Sequence, residues 1–326
     1  MNKMTNLQRL GLDVYNGVSV NFNEASGEDA LRNAITEAVG GEFDYKNFRE
    51  HKARVFAVIE EALDVAVGTV ITDQFDNLAE VRNIGLGDQF AFKIESPELF
   101  RVARIASGTN DLRRQKLAGR SFKVDTDWFG VKIYEELEMF VAGRVDWAKM
   151  VDKVAQSFAQ DMGTRIYEAI ANSYGVLNAT YGVTGTYDED ALFEMVQHVE
   201  AKSGKVATVW GTKKALRKVS KEAFQSEDMK KAMNAVGRVG VVAGTSLMLL
   251  PQAHKLGTDE FQIDDNMLIV IPEGEKIVKV VIEGESVVVE TADAGTRTDQ
   301  QMEYQLQKKF GVGVLQTATY GIYKLQ

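Results

Sequence analysis

The stretch QMEYQLQKKFGVGV, residues 301–314, alternates between apolar and polar side chains along its whole length. Its even positions are apolar except at Lys308, and its odd positions are polar or glycine. The apolar set is Met302, Tyr304, Leu306, Phe310, Val312 and Val314. A period of two predicts a β-strand with one buried face and one face that is polar or shared. This strand would be about twice the usual length.

A second long element is VDWAKMVDKVAQSFAQDMGTRIYEAIANSYG, residues 145–175, which contains no proline. Its apolar side chains recur every three or four residues, at Trp147, Val151, Val154, Phe158, Met162, Ile166 and Ile170. This period predicts a helix about 40 Å long, with Asp146 as its N-cap and Gly175 as its end. A glycine in the middle of the helix, Gly163, predicts a close contact or a bend.

Residues 89–134 have the pattern of a long β-hairpin. QFAFKIES alternates through Phe90, Phe92 and Ile94, and RSFKVDTDWFGVKIYEE alternates again after an interval. A hairpin of about forty residues far exceeds a tight one. Its edges need a second layer or another chain to cover them.

A basic run, LRRQKLAGR at residues 112–120, lies inside this hairpin although the whole chain has a net charge of -9. Its cations are Arg113, Arg114, Lys116 and Arg120. We predict that they form the exposed tip of the hairpin. Four interpretations stay open, namely binding of nucleic acid, binding of a substrate phosphate, contact with an acidic partner, and a solvated charged loop.

The residues before the hairpin predict an extended arm and two helices. The first helix follows Ser26 or Gly27 and ends at the pair Gly40–Gly41. The second begins near Tyr45 and ends at Gly68. Its apolar positions are Phe48, Val55, Ile59, Leu63 and Val67.

From Tyr187 onward, helical and strand patterns alternate, which predicts a compact α+β or α/β unit. The predicted helices are DEDALFEMVQHVEAK, TKKALRKVSKEAF and SEDMKKAMNAV. The predicted strands are KVATVWG, VGVVAGTSLMLLP and MLIVIPEG, followed by a hairpin in KIVKVVIEGESVVVE that turns near residues 283–285.

Composition excludes several kinds of site. There is no cysteine among the 326 residues, so disulfides and thiolate metal sites are excluded. The histidines, His51, His198 and His254, have no ligand-like spacing. No apolar run reaches the length that spans a bilayer, and no signal peptide is recognised. We therefore expect synthesis in a cytoplasm, no membrane contact, and no tight nucleic-acid binding by the acidic body.

Motifs for chemistry are also missing, since GxxxxGK[ST], GxGxxG, GxSxG and HExxH do not occur. A basic helix face, Lys213, Lys214, Arg217, Lys218 and Lys221, is interpreted as a solvated face or as a weak contact with a neighbouring chain or nucleic acid. The acidic group Glu135, Glu136 and Glu138 is interpreted as strand-end surface charge. We predict no catalytic, cofactor-binding or metal-binding residue.

The order of these elements is distinctive. An arm, helices, a very long hairpin, a very long helix, a mixed unit and a very long strand follow one another. This succession resembles the major capsid proteins of tailed double-stranded DNA bacteriophages, which have the Hong Kong 97-type α+β fold. The resemblance depends most on residues 127–170 and 301–315 and covers nearly the whole chain.

The resemblance implies a division of the chain into an arm, a peripheral domain, a hairpin called the E-loop, and an axial domain. The implied segments are 1–45 (arm and first helix), 46–88 (peripheral domain), 89–134 (E-loop), 135–186 (spine helix), 187–294 (axial domain) and 295–326 (terminal strand of the peripheral domain). The tip residues Arg113, Arg114, Lys116 and Arg120 would then contact a neighbouring subunit.

The implied function is that of a structural protein without enzymatic activity or cofactors. Its copies would form hexamers and pentamers of an icosahedral shell around phage DNA, which they would touch weakly and without sequence preference. Portal protein and a separate scaffolding or decoration protein would be further partners. The protein would be made in the host bacterial cytoplasm and reside in the virion. Two alternatives stay open, an encapsulin-type compartment and a soluble acidic α/β enzyme.

Overall fold

The computed structural model describes residues 27–41, 44–75, 77–95, 100, 102, 114–116, 119–136, 147–222, 240–292, 301–315 and 319–326. The predicted N-terminal arm and the predicted helix SEDMKKAMNAV lie outside the described residues.

The described helices are α1 (Gly27–Val39), α2 (Tyr45–Phe75), α3 (Trp147–Ser173), α4 (Glu189–Ser203) and α5 (Lys213–Glu222). Helix α1 ends at Gly40, whose φ of 86° is the left-handed conformation that glycine adopts readily. The long helix α3 is confirmed, and a short 3-10 turn, Tyr174–Val176, follows it. At its middle, a Cβ on Gly163 would lie 2.8 Å from the ring of Phe75, so the predicted close contact is confirmed.

Gly68 does not end the second helix, and that prediction was wrong. Helix α2 continues to Phe75, whose buried ring packs edge-on against Tyr167 of α3 at 6.0 Å between centroids. Glycine inside a helix costs only about 1 kcal/mol. Burying an aromatic side chain beyond it contributes more than that, so the helix continues.

The described strands are β1 (Ala79–Ile84), β2 (Ala91–Glu95), β3 (Gly119–Lys123), β4 (Asp127–Glu136), β5 (Gly182–Gly185), β6 (Ala207–Gly211), β7 (Val241–Val242), β8 (Thr245–Leu249), β9 (Met267–Pro272), β10 (Val278–Ala292), β11 (Gln301–Val314) and β12 (Gly321–Leu325). They form a four-stranded sheet in the order β1-β10-β11-β4, a six-stranded sheet in the order β5-β12-β9-β6-β8-β7, and the separate hairpin β2-β3.

One large core lies between helices α1–α3 and the inner face of the four-stranded sheet. The predicted stripes of α2 and α3 are buried there, as are Tyr304, Leu306 and Phe310 of β11. The side chains of Trp147 and Met302 are not among those described. The periodicities of two and 3.6 therefore identified the inward faces correctly.

A second core lies on the far side of the six-stranded sheet, under α4 and α5. Strand β9 is buried along its whole length because its two faces belong to different cores. Ile269 faces the first core, whereas Leu268 and Val270 face the second. This explains why MLIVIP is a continuous apolar run rather than an alternating one.

The hairpin predicted in residues 276–290 is wrong. These residues lie in one strand, β10, which pairs with β11 on both sides of an irregularity between Glu283 and Val287. Gly284 has a φ of 74°, so the glycine that suggested a turn instead permits a bulge. The predicted strand over VGVVAGTSLMLLP is likewise interrupted, by a turn at Ala243–Gly244 between β7 and β8.

The strand pairing runs across the predicted segments at three places, and the division into domains stays a prediction. The hairpin ends at Lys123, and β4 leaves it to pair with β11. Strand β10 belongs to the same sheet as β11, although the boundary at 294 separates them. Strand β12, predicted as part of the peripheral domain, pairs with β5 and β9 of the other sheet. Local patterns identify strands but not their distant partners.

Candidate assembly site at the root of the hairpin

The hairpin pairs β2 with β3 in antiparallel register, from Ala91 opposite Lys123 to Glu95 opposite Gly119. Of the predicted tip cations, Arg114 and Lys116 are exposed, and Arg113 lies outside the described residues. Arg120 is not at the tip, because it lies in strand β3 opposite Ile94. Strand β3 itself begins at Gly119.

The root of the hairpin, which we define as residues 84–92 and 122–127, packs on the outer face of the four-stranded sheet. Two glycines of β11 make this possible. A Cβ on Gly311 would overlap the carbonyl oxygen of Asp125, and a Cβ on Gly313 would lie 2.7 Å from the ring of Phe122. Any other residue at these odd positions would push the root away from the sheet.

A single carboxylate joins both segments of the root to the sheet. Glu283 of β10 accepts hydrogen bonds from the Gly87 N–H (2.9 Å) and the Thr126 hydroxyl, and from the Lys309 ammonium (2.8 Å). Gly87 precedes β2 and Thr126 follows β3, so the two segments meet at one side chain. Glu283 is only 4% exposed. The hydrogen bond from Lys309, followed by those from Thr126 and Gly87, lowers the pKa of Glu283 to about 2.

A second charged group holds the other side of the root. Glu80 of β1 forms ion pairs with Lys279 of β10 and with Arg82 (2.7 Å). Burial works to raise the pKa of Glu80, but the bonds from the two cations lower it overall. The Lys279 ammonium lies 5.4 Å from the ring centroid of Phe92, a buried residue of β2. The ion pairs of Glu80 and the cation–π contact between Lys279 and Phe92 therefore also hold the hairpin root on the β1 side of the sheet.

We expect the Glu283 contact to weaken only in strongly acidic solution. Its pKa in the fold, about 2, lies below the ordinary value of 4.5. A lowered pKa means that the stabilisation is complete above about pH 5 and is lost as the pH falls toward 2. Hydrogen exchange at the Gly87 amide, corrected for its intrinsic rate, should therefore accelerate over that interval. Replacing the carboxylate in Glu283→Gln should remove this pH dependence, and an unchanged profile in the variant would contradict the assignment.

Beneath the sheet, Lys308 is the exception in the alternation of β11, and it is 3% exposed. Its ammonium pairs with Asp64 of α2 and lies 3.1 Å from the Ser286 hydroxyl. Asp64 also accepts bonds from the Ser286 N–H (2.8 Å) and hydroxyl (2.6 Å). Asp64, Ser286 and Lys308 all line a cavity of about 680 Å³. Burial raises the pKa of Glu60 at the cavity wall, against the bond from the Val288 N–H (2.7 Å).

The other predicted charged groups lie elsewhere. On α5, Lys213, Lys214 and Arg217 are exposed, Lys214 lies 3.9 Å from Asp265, and Lys218 donates to Asn266. The side chains of Lys221, Glu135 and Glu136 are not described, and Glu138 lies outside the described residues.

Within the described part of the chain, no cluster of three His, Asp or Glu side chains could hold a metal ion. The same residues include no helix with the length and apolar character of a membrane span.

The sequence did not reveal the role of Glu283, which was predicted to lie in a turn. It also did not reveal the role of Gly311 and Gly313, which were placed on the polar face of β11. Two glycines at positions i and i+2 of one strand face were the available signal. Such a pair often marks the close approach of another backbone. No signal in the local sequence indicated that Glu283 would meet Gly87 and Thr126, which are 196 and 157 residues away.

A family model described as "SPbeta prophage-derived putative capsid protein YonB" matches residues 6–324. Among solved structures, a chain of the bacteriophage PhiM1 mature capsid is similar, with a TM-score of 0.54 and 13% identity over 77% of this chain and 86% of that chain. A capsid chain of the native GTA particle has a TM-score of 0.53 and 13% identity, over 79% and 90% of the two chains. No curated protein sequence matches the chain. The predicted Hong Kong 97-like α+β fold is confirmed.

Proposed function

The chain belongs to the YonB capsid protein family, and from this premise we propose how its copies build a shell. It is a structural protein of a phage capsid, which forms from repeated copies of one subunit. In the proposal those copies associate as hexamers and pentamers of an icosahedral head. The observation that carries the proposal is the family match over residues 6–324, and the hairpin of this chain supplies an arm suited to it.

The hairpin is proposed as the contact between subunits. Glu283 and the close approach of the root to Gly311 and Gly313 fix the hairpin to the body. The described outer residues of the hairpin lie exposed, with Val102 at 98%. An exposed arm on a fixed root can bury surface only against another molecule. The exposed cations Arg114 and Lys116 would meet acidic side chains of the adjacent copy, together with Arg113. Each such pair contributes about 0–1 kcal/mol, and repetition around a capsomer multiplies the effect.

Other parts of the proposal concern partners and place. The packaged DNA would touch the subunit weakly, and the basic face of α5 offers exposed cations for such contact. Portal protein and a separate scaffolding or decoration protein would complete the head. The subunit would be made in the host bacterial cytoplasm and function in the virion, without catalysis. Electron microscopy of the purified protein tests the assembly, and a stable monomer under all conditions would contradict it.

Charge reversal tests the role of the arm. We expect Arg114→Glu combined with Lys116→Glu to reduce shell yield severalfold at 0.1 M salt, where the Debye length is about 10 Å, and to matter less near 1 M, where it is about 3 Å. Light scattering and electron microscopy across a salt series measure the yield. The matched control is Arg54→Glu with Lys153→Glu, which changes the net charge equally at exposed positions of α2 and α3. Equal yields for all three proteins at every salt concentration would exclude electrostatic docking by the hairpin.

A further inference from the structure

The hairpin leaves the body through two chain segments, and both segments bind the same side chain. The Gly87 N–H lies between β1 and β2, and the Thr126 hydroxyl lies between β3 and β4. Both donate to the Glu283 carboxylate, one to each oxygen. A hairpin joined to a body through two strands can tilt about the line between them. A carboxylate that holds both strands opposes that tilt directly.

The remaining contacts of the root are less directional. Phe122 and Val124 cover Gly313, and the Asp125 carbonyl lies over Gly311. Leu86 packs 3.2 Å from the position that a Cβ on Gly284 would occupy. Apolar and close backbone contacts of this kind limit how near the root lies to the sheet. Hydrogen bonds to a charged group are stronger and depend on angle, so they can fix a direction.

The carboxylate itself is held in place. Lys309, its cross-strand neighbour on β11, donates to the same oxygen that Gly87 uses. On its other side, Glu283 pairs with Ile84 of β1, just before the hairpin begins. The bulge that starts after Glu283 releases β10 from its register with β11. Glu283 is therefore the last regularly paired residue of β10 before the bulge, where the sheet can anchor the root firmly.

We propose that Glu283 is a positioning residue that locks the angle between the β2–β3 hairpin and the body of the subunit. The lock sets the direction in which the arm reaches a neighbouring copy, and in that respect it deepens the proposed function and rests on it. The lock exists within one chain, however, so it can be measured before any shell forms.

The measurement uses the chain's lack of cysteine. Lys93→Cys on β2 and Lys153→Cys on α3, both at exposed positions, provide two spin-label sites in the full chain. Pulsed electron–electron double resonance, at protein concentrations below those at which shells form, gives the distribution of distances between the two labels and so between hairpin and body. We expect Glu283→Gln to broaden this distribution about twofold and to accelerate exchange of the Gly87 amide about tenfold. Glu285→Gln, an exposed carboxylate two residues away, is the matched control and should change neither quantity.

A milder pair of variants covers the case in which Glu283→Gln fails to fold. Thr126→Val removes one of the two root bonds and should broaden the distances partially, whereas Thr126→Ser keeps the hydroxyl and should restore the wild-type distribution. A role in packing alone would not predict rescue by serine. Wild-type distances in folded Glu283→Gln and in Thr126→Val would overturn the lock.

Shell formation by the same variants separates the two proposals. If the distances broaden and shells become irregular or fail to form, both the lock and the role of the hairpin as an assembly arm are supported. If the distances broaden but shells of unchanged geometry form, the lock stands and the hairpin's proposed role in assembly is wrong.

Discussion

Gly311→Ala is expected to detach the hairpin root from the sheet and to abolish regular shell assembly. The new Cβ would overlap the carbonyl oxygen of Asp125, which is backbone and cannot rotate away like a side chain. Relief requires the root to move, at a cost of about 2–3 kcal/mol. Because the Thr126 bond to Glu283 adjoins Asp125, the same movement should break it. Assembly yield by electron microscopy and unfolding of the unassembled chain in urea measure the two effects.

Two glycine variants serve as comparisons for Gly311→Ala. Gly313→Ala would place its Cβ against the Phe122 ring, which can shift, so a smaller loss is expected. Gly68→Ala lies in helix α2, and apart from its chain neighbours and the adjacent helix backbone no described atom lies within 4 Å of the new Cβ. That substitution should stabilise the chain by up to about 1 kcal/mol and leave assembly intact. Normal shells from Gly311→Ala would show that the root does not need its close approach to β11.

The faces of the helices and of β11 could be predicted because burial follows local geometry. A strand repeats every two residues and a helix every 3.6, so Tyr304, Leu306 and Phe310 had to share one side. The end of α1 was equally local, because Gly40 follows Val39 with a φ of 86°, as the predicted stop at Gly40–Gly41 requires.

Strand partners could not be predicted in the same way. Strand β1 pairs in parallel with β10, about two hundred residues later in the chain, and β12 lies between β5 and β9. No local pattern distinguishes a glycine that turns a hairpin from one that permits a bulge, as Gly284 does. The outcome depends on which distant strand is available to pair.

For the hairpin, the sequence predicted the exposed cations of its outer part but not the residues that hold its root. Four cations in an acidic chain attract notice, and two of them, Arg114 and Lys116, are exposed as expected. The groups that hold the arm are a carboxylate, a hydroxyl and two glycines, each ordinary in its own segment. Their importance comes from being brought together by the fold, and a single sequence does not encode that proximity in any local pattern.

The one charged residue on the buried face of β11 is expected to be the most sensitive to loss of its partner. Lys308 is 3% exposed, and Asp64 is the carboxylate that neutralises it, with its own side chain 23% exposed. Asp64→Ala removes the carboxylate that is ion-paired with this buried ammonium, which should cost about 3–5 kcal/mol of stability. Urea unfolding of the unassembled chain measures the loss.

Lys308→Met should cost much less, about 1 kcal/mol, because Asp64 keeps both bonds from Ser286 and part of its exposure to water. Methionine also restores the apolar alternation of even positions in β11. The double variant, Asp64→Ala with Lys308→Met, contains neither charge of the pair. Its stability should therefore be closer to that of the wild type than the stability of Asp64→Ala alone. The double-mutant cycle should give a coupling free energy of about 2 kcal/mol. Additive losses would mean that Lys308 is neutralised by something other than Asp64, and that this pair does not explain the exception in the strand.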